Sequence, residues 1–445
     1  MKIEESAFNV LLEFPEGKEP NLCFYSGIKS GDKYFPVSIT GAGKLPFEQG
    51  VLRYTVFSSG AVIQTFLLWI GVPPARVELY ASAVLSVQLL TMAFCAFTAD
   101  KFRKIKRIIS VCFFIFPAIF VVLLIVSLGT LGSIDLSYGI ILFGSILTNL
   151  ALGIYNILTY KLPYSVFRIE SYGRISGVIG IIANAATVGV SFLMSFLVSV
   201  LDYRIVMSAV FTVGAILWTI CAVLSSCYRT VNGDNTDSAD GESKERVTDL
   251  FKYPLFFKTI IPTVLRGVAV GILGLIVSIG TRDGILDTKT ATYITVISCA
   301  GAAAGYFLFL FLERKIKHGL IIILFGVSVF ILSPFITLSK SVPVLFILYF
   351  LAYSSITAMG MTHPVLVFES VEYRKIGRYT AWRMLFMTLG QALPGFFVNA
   401  IYPFIGSVGI MAICAVSCAL SSVWLGIVLK PQQGEKLAPQ DGNPS

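Results

Sequence analysis

The sequence predicts an all-α membrane protein: twelve transmembrane helices arranged as two pseudo-symmetric six-helix bundles. Three observations carry that prediction. The 445 residues are 56% hydrophobic and only 13% charged, where soluble domains carry roughly a quarter charged residues. The apolar residues are gathered into runs such as "IISVCFFIFPAIFVVLLIVSLGTLG", and runs of about 18 or more cross the hydrocarbon core as helices. Short motifs also recur in the same order a little over 200 residues apart.

The spans are expected at 52–72, 77–99, 108–132, 136–160, 175–200, 204–228, 256–281, 289–312, 319–338, 342–364, 379–402 and 407–429. They leave no room for a soluble domain. Residues 1–50 are polar and mixed in charge ("MKIEESAFNVLLEFPEGKEP") and lack the charged start and apolar core of a cleavable signal peptide. The chain therefore divides into a cytoplasmic N-terminal segment (1–50), a first bundle (51–228), a linker (229–255, with "VNGDNTDSADGESKER"), a second bundle (256–429) and a polar tail (430–445). Alternate loops hold twenty basic residues on one side, with five on the other (Arg76, Arg204, Arg282, Lys289, Lys340). Cytoplasmic loops carry the excess of Lys and Arg, so both termini, the linker and "KFRKIKR" at 101–107 are expected to be cytoplasmic, with the protein in the cell membrane.

The repeat supports a two-bundle division. "VLR" at 51–53 returns at 264–266, "RKIK" at 103–106 returns at 314–317, and "YGRISG" at 172–177 is echoed by "IGRYTA" at 376–381. Halves related in this way enclose a central site, and rocking one against the other gives alternating access. Other function classes lose their footing. The net charge of +9 is explained by loop placement, so no nucleic-acid partner is expected. Only two histidines and no clustered carboxylates argue against a metal site. All cysteines except Cys23 sit in or beside apolar segments, without CxxC spacing. There is no phosphate-binding Gly-rich Lys-Ser/Thr loop and no nucleophile or acid–base pair at bilayer depth. Neither cofactor nor enzymatic activity is expected.

The loop after the second span reads "AFTADKFRKI". It resembles the Gly-x-x-x-Asp-Arg-x-Gly-Arg-Arg loop of the major facilitator superfamily, with Asp100 at the aspartate, Lys101 and Lys104 at arginines, and Ala96 and Arg103 where the family has glycine. The resemblance covers residues 51–430. It implies that Asp100 caps a neighbouring helix and joins Lys101, Arg103 and Lys104 in a charge network that holds one conformation. It also implies that spans 1, 4, 7 and 10 line the path of a small solute, with the monomer as the working unit. Absent signatures narrow the expectation: span 4 lacks the arginine of many proton-linked members, span 5 ("GVIGIIANAATVGVSF") lacks a Gly-Pro motif, and the Pro-Glu-Ser-Pro-Arg string of sugar porters is missing.

Polar residues on those spans are the binding candidates. Asn149, Asn156 and Tyr160 share one face of span 4, at spacings of seven and four. Tyr349, Tyr353, Thr357 and His363 form a stripe on span 10, and Gln64 lies on span 1. Each group has a second reading as interhelical hydrogen bonding or packing. Arg266, deep in span 7, needs a partner or water. A substrate carboxylate or phosphate is one, which makes an organic anion the expected solute class; Glu170 or Glu369 is another. Glu78, Asp135 and Asp202 are placed at outer helix ends, so no acid is expected at mid-membrane. His363, beside Pro364 at an expected helix end, is the candidate for proton coupling, with a structural hydrogen bond as its alternative. The pairs Gly173/Gly177 and Gly301/Gly305 are expected to bring spans 5 and 8 together. A secondary or facilitative transporter is the function these features favour. A non-transporting sensor or scaffold of the same fold, or a lipid or drug translocator, are its rivals.

Overall fold

The computed structural model describes residues 25–30, 33–38, 63–98, 105–129, 133–159, most of 181–226, 254–313, 315–370 and 376–428. A short antiparallel hairpin, β1 (Tyr25–Ser30) and β2 (Lys33–Ser38), precedes the helices. Every other described element is helical. The first group comprises α1 (Ile63–Trp69), α2 (Pro74–Thr98), α3 (Ile105–Ser127), α4 (Ile134–Thr159), α5 (Thr187–Val198) and α6 (Tyr203–Ser226). The second comprises α7a (Pro254–Gly274), α7b (Ile276–Arg282), α8 (Thr288–Glu313), α9 (His318–Leu338), α10 (Val342–Ser370) and α11 (Ile376–Val428). Gly406 breaks α11 into two arms with φ 63°, a left-handed conformation that glycine adopts without steric penalty. Among the described residues, seven helices are long and apolar enough to cross a membrane, or eight with α7a and α7b as one bent span.

Two separate cores hold these helices. The first is built wholly from α1–α6 and centres on aromatic rings: Phe116 lies 4.3 Å from Trp218 between ring centroids, and Phe113 packs on both Tyr155 and Trp218. The second draws on α7a–α11, with Met92 and Cys95 of α2 buried in it and Leu68, Leu89 and Ile154 of the first group packed against it. Apolar residues point outward as well; Phe94, Phe143, Phe307 and Phe404 are all exposed. In water such a surface would aggregate, whereas in a bilayer it meets lipid.

Three expectations change at this level. Span 7 is not one straight helix, because α7a and α7b meet at a 49° bend. Span 10 does not stop at Pro364 but runs to Ser370, so His363 is a helix-interior residue. Gly301 and Gly305 do not face span 5. A Cβ on Gly301 would lie 2.9 Å from the Phe350 carbonyl, and one on Gly305 would lie 2.4 Å from that of Ser354. They let α8 press on α10 inside the second bundle. Close contact between the bundles falls instead to α2 and the first arm of α11, where Ser82 donates to the Ala392 carbonyl at 2.6 Å. A Cβ on Gly395 would collide with Ser82 Oγ and the Glu78 carbonyl.

Candidate functional site

The break in α7 is a polar meeting point of the two bundles. Helix α7a ends at Gly274, Leu275 leaves the helical hydrogen-bond pattern, and α7b starts at Ile276. Carbonyls at a helix end lose their donors one turn ahead. Side chains supply two of them here. Tyr349 of α10 donates to the Leu273 carbonyl at 3.3 Å, and Gln64 of α1 donates through Nε2 to the Gly274 carbonyl at 3.3 Å. Gln64 therefore reaches from the first bundle to the broken helix of the second, while its Oε1 is buried without a hydrogen-bond partner. Tyr353 packs on Tyr349 with ring centroids 5.5 Å apart. Discontinuous helices at a repeat interface are where transporters of this architecture place solutes.

The remaining predicted residues are scattered. Asn149 is buried, and its Nδ2 donates to the Ser145 carbonyl one turn back at 2.9 Å. Ser145 Oγ in turn bonds Tyr80 of α2 at 2.6 Å. That face of α4 thus binds α2 within the first bundle. Asn156 is half-buried on the same helix. Tyr160, Asp100, Lys101, Arg103 and Lys104 lie outside the described residues, as do Glu170, Gly173, Gly177 and the side chain of Glu369.

Arg266 and His363 are brought together. Arg266 is 7% exposed and His363 is fully buried, with Arg266 Nη1 and His363 Nδ1 3.3 Å apart. A guanidinium has no acceptor, so Nδ1 must accept and His363 is the neutral tautomer protonated at Nε2. A proton arriving at Nδ1 would displace Arg266 and add a positive charge beside it, which works against the coupling role expected of His363. Arg383, on the first arm of α11, acts electrostatically on both residues. Among the described residues no carboxylate stands within ion-pair distance of Arg266.

A second charged constellation was not foreseen. Glu78 of α2 was expected at an outer helix end, yet it is 0% exposed. Its Oε1 accepts from Ser278 Oγ at 2.7 Å and pairs with Arg282 Nη2 at 3.0 Å, both on α7b. Arg282 also donates to Asn399 Oδ1 at 2.7 Å, and Asn399 Nδ2 returns to the Ala75 carbonyl at 3.0 Å. The guanidinium lies 4.5 Å above the Tyr402 ring, whose hydroxyl bonds Asp283. Helices α2, α7b and α11 are tied into one network across the two bundles. The signal in the sequence was a lone acid near the start of span 2 and a lone base at the end of span 7. Nothing in either run says that they meet.

The comparisons agree with this architecture. The sequence profile of the Major Facilitator Superfamily matches residues 50–393. The chain belongs to this superfamily, a family of multi-pass membrane transporters for small solutes. Three solved structures share the fold at low identity. A D-xylose–proton symporter superposes with a TM-score of 0.62 at 13% identity, over 87% of this chain and 96% of that one. A nucleoside transporter, NupG, gives 0.60 at 13%, over 87% and 98%. A variant of the E. coli fucose:proton symporter FucP gives 0.57 at 12%, over 86% and 98%. A search of curated protein sequences gives no match.

Proposed function

We propose that the protein carries a small, polar, uncharged organic solute by alternating access between bundles 51–228 and 256–429, in the cell membrane, with both termini cytoplasmic and the monomer as the working unit. The observation that carries this reading is Gln64. Its amide bonds a carbonyl freed by the break in α7, and its Oε1 is a buried acceptor without a partner. A solute hydroxyl or N–H fits that acceptor, and Tyr349 and Tyr353 supply a flat apolar wall with hydroxyl edges. The two sugar symporters and the nucleoside transporter among the fold's neighbours lean the same way.

An organic anion is the second reading. Its specific support is Arg266, grouped with Arg383 and without a carboxylate in reach among the described residues. The two readings separate in one experiment: binding and proteoliposome uptake of a panel split into neutral and anionic metabolites, with Gln64→Ala and Arg266→Gln. The uncharged reading expects neutral solutes to bind and move, with affinity about three- to tenfold weaker in Gln64→Ala, the loss of one hydrogen bond of ~0.5–1.5 kcal/mol. Binding confined to anions and abolished by Arg266→Gln would reverse the order. Binding without uptake of any solute would make the protein a sensor rather than a carrier.

A further inference from the structure

Arg266 and His363 meet at 3.3 Å, and Arg383, whose Nη2 is directed to Met384 Sδ at 3.6 Å, acts electrostatically on both; the hydrogen-bonding capacity left over in this group is on the donor side. Arginine has five N–H donors and no acceptor. The one acceptor in the group, His363 Nδ1, is taken by Arg266. What remains is Arg266 Nε, His363 Nε2 and Arg383 Nε, and each of these three atoms is buried without a hydrogen-bond partner. Leaving a buried donor unsatisfied is costly, the more so when the group is charged. Two like charges acting on each other in a low-dielectric interior raise the cost further. Three buried donors and a double positive charge, with no acid in reach among the described residues, favour an anion.

We propose that this cluster holds a small inorganic anion of halide size, chloride being the obvious occupant, enclosed within the second bundle and separate from the solute site at the α7 break. The class of ligand follows from closure. Arg266 is 7% exposed and His363 0%, and the guanidinium is pressed so closely on α10 that a Cβ on Gly360 would lie 2.4 Å from its Nη2. An organic solute that must enter and leave in every cycle does not suit such enclosure. A monatomic anion accepts N–H groups from any direction and needs no further partners. It would leave the cluster with one net positive charge instead of two. It would also fix the relative positions of α7a, α10 and the first arm of α11, the three helices that contribute the donors. The site goes beyond the transport reading, because it concerns an ion that stays while the solute passes.

The test uses the purified full-length protein. Its apparent melting temperature is followed while gluconate is exchanged for chloride, bromide or nitrate at constant ionic strength. Saturable stabilisation by chloride and bromide is expected, with half-saturation moved at least tenfold upward in Arg266→Gln and unchanged in Gln64→Ala. If Arg266→Gln does not fold, Arg383→Gln is read in its place. A bromide-exchanged crystal gives the location, with an anomalous peak expected beside Arg266 and His363. Equal melting temperatures in gluconate and halide overturn the proposal and leave the donors to water or to a carboxylate of the chain. Stabilisation by organic carboxylates but not halides overturns it too, and moves the cluster into the solute path. Failure of the uncharged-solute reading would appear as a loss of neutral-solute binding and leave the halide titration untouched.

Discussion

Among the described residues two constellations bury a full charge, and they do so in opposite ways. Glu78 and Arg282 are an acid and a base supplied by different bundles, and each carries further hydrogen bonds, to Ser278 and Asn399. Arg266, His363 and Arg383 come from one bundle, where Arg383 acts electrostatically on Arg266 and donors are left to spare. The first group is complete only while the bundles are closed on that side. The second belongs to the second bundle alone, whatever the first is doing. A neutralised pair across a moving interface acts as a latch. An unneutralised cluster inside a rigid body needs a ligand. Location relative to the moving boundary, more than burial, decides what a charge can do here.

Breaking the latch should have the largest effect. Removing one partner of a buried pair strands the other, at about 3–5 kcal/mol. Arg282→Ala leaves the buried Glu78 carboxyl with only Ser278, so it should exceed Glu78→Gln, in which the partly exposed Arg282 keeps Asn399. Either change should move the closed-to-open equilibrium on this face by a hundredfold or more, since each 1.4 kcal/mol is about tenfold. Spin labels at Ile134 and Val408, at the ends of α4 and of the second arm of α11, report it as a longer distance. An unchanged distance distribution in Arg282→Ala would show that the pair does not hold the bundles together. The double variant Glu78→Gln/Arg282→Gln should recover part of the closed population, because no charge is left stranded.

The cation cluster should respond with the opposite sign. In halide-free buffer, Arg383→Gln removes one of two like charges, and the apparent melting temperature should rise by the equivalent of about 1 kcal/mol. Glu78→Gln under the same conditions should lower it. A fall in both variants would mean that Arg383 is neutralised by the chain itself, and the contrast between the two groups would collapse.

The sequence was legible where the physics is additive and silent where it depends on assembly. Hydropathy places span limits within a few residues, from Pro74–Thr98 for the expected 77–99 to His318–Leu338 for 319–338, because lipid crossing is a property of composition along one segment. The break in α7 was hidden because "GILGLIV" is apolar throughout, and what opens the helix is the pair of side chains, Tyr349 and Gln64, that replace its lost bonds. Gly301 and Gly305 announced a close approach correctly and named the wrong neighbour, since a small-residue pattern describes one surface and not its partner. Arg266 and His363 were each singled out, yet their separation of 97 positions gave no hint that one is the other's acceptor. Glu78 stands near the start of α2, at the helix end where it was expected; what the sequence could not show is its burial, which is supplied by α7b and α11.

An exposed acid, Asp287, shows what charge costs when neither bundle encloses it. Asp287 is exposed at the start of α8, where its Oδ1 accepts from the Thr290 N–H at 2.7 Å and Thr290 Oγ1 accepts from the Asp287 N–H at 3.0 Å. This reciprocal pair is the capping box in outline. Hydrogen bonds from Thr290, side chain first, hold the Asp287 carboxyl below its ordinary range. A depressed carboxylate contributes stability that is fully present above its unfolded value, near ~3.9, and is lost as pH falls through its folded value. Asp287→Ala should therefore cost about 1 kcal/mol at pH 7, seen as a small drop in melting temperature. The gap from wild type should narrow as the scan is taken down through the acid range. Asp287→Asn should keep most of the cap at pH 7 and show little of that dependence, because an amide accepts the Thr290 N–H without titrating. A gap that stays constant into acid would assign the loss to helix propensity and not to the carboxylate. The effect is small because water, unlike either bundle, already solvates the charge that the cap receives.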